Sequence, residues 1–266
     1  MSGMSDLKTA FFPQTLYQYL LDNRVDLILE PPHEKLRCCG AELDHALGCY
    51  KRAMLHPSEV DWTSRQALRW YTRQFFNLHD GAWWCRWRGH RVAKMPTDLW
   101  MYQEILHETR PELIIETGTW EGGSAMYLAD VCEAMRHGKV VSVDIKPIAT
   151  PPHPRILYFT GASSTDPRIV ADLAEGAREA RTMVILDSAH DYTHVSAELD
   201  AYGPLVSPDC YLIVEDTDMF DTMMAVEHWL PQHPEFEVDV TREIFGLTKN
   251  PDSYLRRRKA DPSAHA

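Results

Sequence analysis

Leu113-Ile114-Ile115-Glu116-Thr117-Gly118-Thr119-Trp120-Glu121-Gly122-Gly123-Ser124 is the stretch on which the reading of this chain turns. A short apolar run ends in an acid, a glycine turn follows, and an alanine-rich segment of helical character runs from Ser124 to His137. That is the strand–turn–helix opening of a nucleotide-type α/β fold. The glycines are not spaced as Gly-x-Gly-x-x-Gly and no Lys-Ser/Thr follows them, so the dinucleotide and P-loop fingerprints both fail. Glu116 and Glu121 flank the turn. Two carboxylates there repel a pyrophosphate and attract a cation. S-adenosylmethionine (SAM) suits such a turn, because it carries a sulfonium and an amino group and no phosphate. Taken alone, the turn reads equally as a structural strand–helix connection with exposed acids.

Downstream the same unit recurs. Strands are expected at Lys139–Asp144, Ile156–Thr160, Thr182–Asp187 and Tyr211–Glu215, as continuous apolar runs. Helices are expected between them: Asp166 or Pro167 to Ala180, with an Asp-Pro start suited to an N-cap and first turn, then Thr193–Tyr202 and Thr222–Leu230. Phe236–Val240 and Ile244–Thr248 read as a closing antiparallel pair. Apolar strands alternating with helices imply a mostly parallel sheet covered on both faces.

Upstream, residues 1–110 differ in character. Helices are expected within Phe12–Leu29, at Ala41–Leu55, at Thr63–Leu78 and at Thr97–Thr109. Between the last two lies Trp83-Trp84-Cys85-Arg86-Trp87-Arg88-Gly89-His90, dense in tryptophan and arginine. It reads either as a hairpin packed on the core or as a lid or subunit contact, the latter pointing to a homo-oligomer. The expected division is therefore a helical extension over 1–110, a ligand-binding domain over 111–250 and a polar tail over 251–266.

The chain has 266 residues, 44% of them hydrophobic and 25% charged, which suits a soluble globular protein. A formal charge of −12 argues against nucleic acid or an anionic membrane as partner. The one basic run, Arg256-Arg257-Arg258-Lys259, reads as a solvated end. Six cysteines without a Cys-x-x-Cys pair, and no signal-like N-terminus, suggest reduced thiols in the cytoplasm. No apolar run approaches the roughly 20 residues that span a bilayer.

The expected strands end in acids: Glu116, Asp144, Asp187 and Glu215-Asp216. Carboxyl ends of parallel strands share one rim, where such folds bind ligands. A single strand-end acid is ordinarily a helix cap, but five carboxylates on one rim repel one another unless cations neutralise them. Asp144, about 20 residues beyond the turn, suits ribose hydroxyls. Asp187, Glu215 and Asp216 offer a hard, oxygen-only site fitting Mg²⁺. His190, three residues past Asp187, is placed to act as a general base; otherwise it is a loop histidine, one of 13 in the chain.

At this point the sequence resembles a known group. Glu116 to Ser124 looks like motif I of class I SAM-dependent methyltransferases. With Ile185-Leu186-Asp187-Ser188-Ala189-His190, Leu205-Val206-Ser207-Pro208 and Ile213-Val214-Glu215-Asp216-Thr217, the chain resembles the cephalosporin hydroxylase/rhamnosyl O-methyltransferase family over about residues 83–250. The macrolide sugar O-methyltransferases are related to it. Catechol O-methyltransferase is similar more distantly, with a lysine base in place of His190 and a Gly-Ala-Ser-Gln segment resembling Gly161-Ala162-Ser163-Ser164. The resemblance implies a Rossmann-like seven-stranded fold and Mg²⁺-dependent O-methyl transfer from SAM. It implies metal ligands at Asp187, Glu215 and Asp216, and a catalytic pair of His190 and Asp187. It implies cofactor contacts at Glu116, Gly118, Thr119, Gly123, Ser124, Asp144, Ser163 and Ser164. The implied acceptor is a natural product with vicinal hydroxyls, on a sugar or cyclitol, as in antibiotic biosynthesis. Two other readings stay open: support of methoxylation on a β-lactam nucleus, and a non-catalytic SAM-binding partner subunit.

Overall fold

The computed structural model describes residues 27–30, 35–38, 41–42, 85–147 and 150–259. The chain divides into two compact units, Met1–Leu68 and Arg69–Ala266. The division falls earlier than the expected one at residue 110.

In the first unit, strands β1 (Leu27–Glu30), β2 (Lys35–Cys38) and β3 (Ala41–Glu42) form an antiparallel sheet in the order β1-β2-β3. These strands replace the end of the helix expected within Phe12–Leu29 and the start of the one expected at Ala41–Leu55. Leu27-Ile28-Leu29 is a three-residue apolar run, too short to distinguish a helix from a strand by periodicity. The remainder of those two segments, all of Thr63–Leu78, and Trp83-Trp84 lie outside the described residues.

Among the described residues of the second unit, the first element is the hairpin β4 (Arg86–Trp87) and β5 (His90–Arg91), turned at Arg88-Gly89 with φ of 49° and 88°. Two positive φ values at the turn suit the right-handed twist of its strands. Trp87 packs edge-on against Tyr127, with ring centroids 4.9 Å apart, and its Nε1 donates to Asp130 Oδ2 at 2.7 Å. The segment is thus a packed hairpin. Helix α1 (Pro96–Thr109) follows.

Strands β6 (Leu113–Thr117), β7 (Lys139–Asp144), β8 (Ile156–Thr160), β9 (Thr182–Leu186), β10 (Tyr211–Val214), β11 (Phe236–Val238) and β12 (Tyr254–Arg257) form one sheet, in the order β11-β12-β10-β9-β6-β7-β8. The five strands from β8 to β10 pair in parallel; β12 is antiparallel to both its neighbours. Helices α2 (Gly123–Met135), α3 (Pro167–Arg178), α4 (Tyr192–Tyr202) and α5 (Phe220–Trp229) supply the crossovers. This is the expected Rossmann-like, mostly parallel seven-stranded sheet. Asp166 caps α3, accepting from Arg168 N at 2.9 Å, and Asp191 caps α4, accepting from His194 N at 3.0 Å.

The two-residue strand period sorts the core into two halves. Leu113, Ile115, Val184, Leu186, Leu212 and Val214 face α4 and α5 through Val195, Leu199, Ala225 and Trp229. Ile114, Met183, Ile185 and Ile213 face α1 and α2 through Ile105, Leu106, Leu128 and Ala129. Each fully buried aliphatic side chain of this kind contributes about 1.5–3 kcal/mol.

The C-terminal end corrects two expectations. β11 pairs with Tyr254–Arg257, whereas Val240–Glu243 is a 3-10 turn and Ile244–Thr248 lies outside every strand. The expected polar tail therefore contains a strand inside the sheet. Tyr254 and Leu255 are fully buried, and the charged residues beside them cover rings: the Arg256 guanidinium sits 6.0 Å from the Tyr211 ring and that of Arg257 5.9 Å from Phe236. Long arginine stems shield apolar surface while their heads stay polar, so a basic run can be a strand. Among the described residues no helix is long and apolar enough to cross a membrane.

Candidate active site

The cleft lies at the carboxyl ends of β6, β9 and β10, and encloses about 410 Å³. That falls in the range of small-molecule sites. Its floor is the turn after β6. Gly118 has φ +85°, and a Cβ there would fall 1.8 Å from the Asp187 carbonyl oxygen. Gly123, at the start of α2, would meet the Arg91 carbonyl oxygen at 1.9 Å. Both positions accept only glycine, because backbone lies against backbone. Asp144 braces the turn from β7: its Oδ2 accepts from Thr119 N at 3.0 Å and Trp120 N at 2.9 Å. Trp120 holds a φ of 45° and lines the cleft.

Three titratable side chains meet at the cleft. Ligand atoms of Asp187, His190 and Asp216 all lie within 4.8 Å of one another. His190 Nε2 is 3.2 Å from Asp216 Oδ2. Lys249 Nζ reaches Asp216 Oδ1 at 3.0 Å and Asp218 Oδ1 at 2.6 Å. Burial pushes the Asp187 carboxyl well above the usual carboxylate range, and Glu215 and Asp216 add to that, while the Lys94 ammonium opposes it. A carboxyl raised by its neighbours' negative charge is a place where a cation is favoured.

Glu215 belongs to a different environment. It continues the β10 alternation onto the α1 face, with Ile213, and is 3% exposed. Its Oε1 receives Lys94 Nζ at 2.7 Å and the Tyr102 hydroxyl. The same Lys94 Nζ donates to Asp187 Oδ2 at 2.7 Å. Burial works against the charge of Lys94, but Asp187, Glu215 and Glu116 together raise its pKa above the ordinary lysine value. Asp216 leaves the strand direction through a φ of 57°, which carries its carboxylate to the cleft. Asn250 fixes that turn: its Oδ1 accepts from Asp216 N at 3.2 Å, and its Nδ2 donates to Tyr102 OH at 2.9 Å. The expected acid triad is thus split. Asp187 and Asp216 come together with His190, and Glu215 sits behind them on Lys94.

The expected cofactor residues divide likewise. Gly118, Thr119, Gly123 and Ser124 line the cleft. Glu116 is wholly buried below it, with Oε2 accepting from Ser142 Oγ at 2.7 Å and Oε1 lacking a hydrogen-bond partner. Burial raises its carboxyl pKa, with Lys94 and the hydroxyls of Ser124 and Ser142 opposing. Ser163 Oγ lies 3.0 Å from Thr165 Oγ1, and Ser164 Oγ lies 3.1 Å from His194 Nε2; neither serine lines the cleft. Lys94, Lys249, Tyr102 and Asn250 were not singled out from the sequence. A Lys-x-Pro at a helix entry is an ordinary surface pattern, and nothing local marks Lys94 as buried.

Comparisons with known proteins identify the family and the fold. The sequence model of the rhamnosyl O-methyltransferase/CmcI family matches residues 82–258. A rhamnosyl O-methyltransferase of Mycobacterium tuberculosis is 35% identical over 189 residues, covering 64% of this chain and 76% of that protein. One from Mycobacterium leprae is 34% identical over 194 residues, covering 65% and 82%. Two solved structures share the fold. CmcI in an apo structure has a TM-score of 0.54 at 24% identity, and CmcI described as Mg-SAM has 0.53 at 20%; each match covers 66% of this chain and 77% of theirs. Since the family match spans more than half of its length, the chain belongs to the rhamnosyl O-methyltransferase/CmcI family.

Proposed function

We propose that the protein is a SAM-dependent, Mg²⁺-assisted O-methyltransferase that methylates one of two vicinal hydroxyls on a sugar or cyclitol of a natural product. The observation that carries this reading is the meeting of Asp187, His190 and Asp216 within 4.8 Å, at the mouth of a glycine-floored cleft. The relatives' activity, rhamnosyl O-methylation, supports a sugar hydroxyl as acceptor.

The residues fit both groups. The carboxylates of Asp187 and Asp216, with Glu215 as the third acid, form a hard oxygen donor set suited to a divalent ion, and the His190 imidazole stands beside it. Gly118 and Gly123 let the turn pack directly on the Asp187 and Arg91 backbones at the edge of the cleft, and Glu116 Oε1, buried beneath it without a hydrogen-bond partner, is an acceptor left for a donor group. When bound, the ion supplies Lewis acidity to a substrate hydroxyl and SAM supplies the methyl group.

The chain's own residues do the rest. His190 Nε2 lies 3.2 Å from Asp216 Oδ2, which keeps the imidazole at the cleft, where it is placed to take the proton from the acceptor hydroxyl. Lys249 holds Asp216 in turn, so the base stands on a braced carboxylate. The walls at Trp120 and Met219 orient the acceptor and narrow access of water.

Incubation with methyl-labelled SAM and rhamnosylated or other vicinal-diol acceptors, with and without EDTA, tests the reading. Label is expected to enter the acceptor in Mg²⁺ and to be lost in EDTA. Full turnover after chelation would remove the metal from the mechanism, and SAM binding without transfer to any diol would remove the activity.

A further inference from the structure

Lys94 stands in an unusual place for a lysine. It is 2% exposed, and its ammonium lies 2.7 Å from both Asp187 Oδ2 and Glu215 Oε1. A divalent ion ligated by those two oxygens would stand about 2.0–2.1 Å from each. The ammonium and such an ion therefore claim the same space. A fixed ammonium and a divalent cation a few ångströms apart also repel strongly in a site of low dielectric.

The backbone around Lys94 is anchored while its side chain has a way out. Val92 is 1% and Met95 4% exposed, and Val92 N donates to Cys85 O at 3.0 Å. The Lys94 side chain nevertheless borders the cleft. The opening beside the Asp187–Glu215 bridge is therefore the space into which the ammonium would turn.

We propose that Lys94 is a built-in counter-cation that exchanges with the divalent ion: its ammonium and the ion occupy the Asp187–Glu215 bridge alternately, and Glu215 becomes an ion ligand only as Lys94 withdraws. The proposal rests on the metal reading given under Proposed function. It makes Lys94 a positioning residue that sets how tightly the site takes its ion and keeps the acids from repelling one another when the ion leaves.

Two measurements on the full chain test it. The first is calorimetric titration of chelator-stripped protein with Mg²⁺, in the wild type and in Lys94→Met, together with melting in EDTA and in Mg²⁺. Removing the competing ammonium is expected to tighten Mg²⁺ binding about tenfold or more. It is also expected to lower the melting temperature in EDTA by several degrees and to widen the rise that Mg²⁺ produces. A Lys94→Met protein whose Mg²⁺ affinity is unchanged or weaker overturns the exchange. The second needs no variant: amine acetylation of the wild type, read by peptide mass spectrometry, is expected to label Lys94 several-fold faster in Mg²⁺ than in EDTA. Equal or slower labelling in Mg²⁺ overturns the proposal even where Lys94→Met fails to fold. A wild type that takes up no Mg²⁺ in the titration overturns the metal reading and this inference together, and is thereby told apart from failure of the exchange alone.

Discussion

Glu215 and Asp216 are neighbours at the end of one strand, yet they belong to different regions of the molecule. Glu215 follows the strand period inward, is 3% exposed and is paired with Lys94 and Tyr102. Asp216 leaves through a left-handed φ and reaches the cleft beside Asp187 and His190. The same contrast separates Glu116, buried with Ser142, from Asp187, whose side chain is 22% exposed. An inner pair of glutamates lies under an outer pair of aspartates. Residue chemistry is nearly the same in the two layers; register and one backbone angle decide which acids support the cleft and which face it.

The sharpest way to break this contrast is Gly118→Ala. Its Cβ would lie 1.8 Å from the Asp187 carbonyl oxygen at a φ of +85°, so the turn and the outer aspartate must part. SAM binding, measured by calorimetry, is expected to disappear, with the protein several kcal/mol less stable or unfolded. Glu215→Ala tests the inner layer. It removes one of the two carboxylates that hold the buried Lys94 ammonium and the acceptor of the buried Tyr102 hydroxyl, and is expected to cost about 3–5 kcal/mol in denaturant unfolding. His190→Ala tests the outer layer by the opposite pattern. Turnover is expected to fall about 10²- to 10⁴-fold, with SAM affinity within about twofold and the melting temperature almost unchanged. Equal losses of stability in the last two variants would erase the distinction between layers.

The effect that shows only as a pH dependence concerns Asp98, on the inner side. Burial and Glu215 push its carboxyl up to about 7, against the bonds it accepts from Lys249 N at 3.0 Å and Tyr254 OH at 2.9 Å. A carboxyl with a raised folded-state pKa contributes stability that is fully present below its unfolded value near 3.9 and is lost as pH rises through about 7. Asp98→Asn is therefore expected to flatten the decline in stability between about pH 4 and 7, seen as melting temperature against pH.

Much of this was legible in the sequence, for identifiable reasons. Apolar runs such as Met183-Val184-Ile185-Leu186 announce buried parallel strands, and strand-end acids announce the ligand rim. His190 was readable because the loop after β9 is short. Lys94 was not, because its partners lie 93 and 121 residues away and a lysine ahead of a proline is by default solvated. Nor could Glu215 be told from Asp216, since the left-handed angle falls on an aspartate where a glycine would have signalled it. β12 was hidden by its arginines, whose ring contacts depend on Tyr211 and Phe236 far along the chain.

The position of β12 has a consequence for biosynthesis. Residues 254–257 are inserted between β11 and β10, so β11 has no neighbour in the sheet and β10 keeps a bare edge until this late segment is made. Lys249 and Asn250, which hold Asp216, arrive on the same stretch of chain. A nascent chain thus builds the Gly118 turn long before it can brace the Asp216 carboxylate at the cleft. During translation the incomplete sheet exposes a pairing edge of the kind that aggregates until β12 fills it.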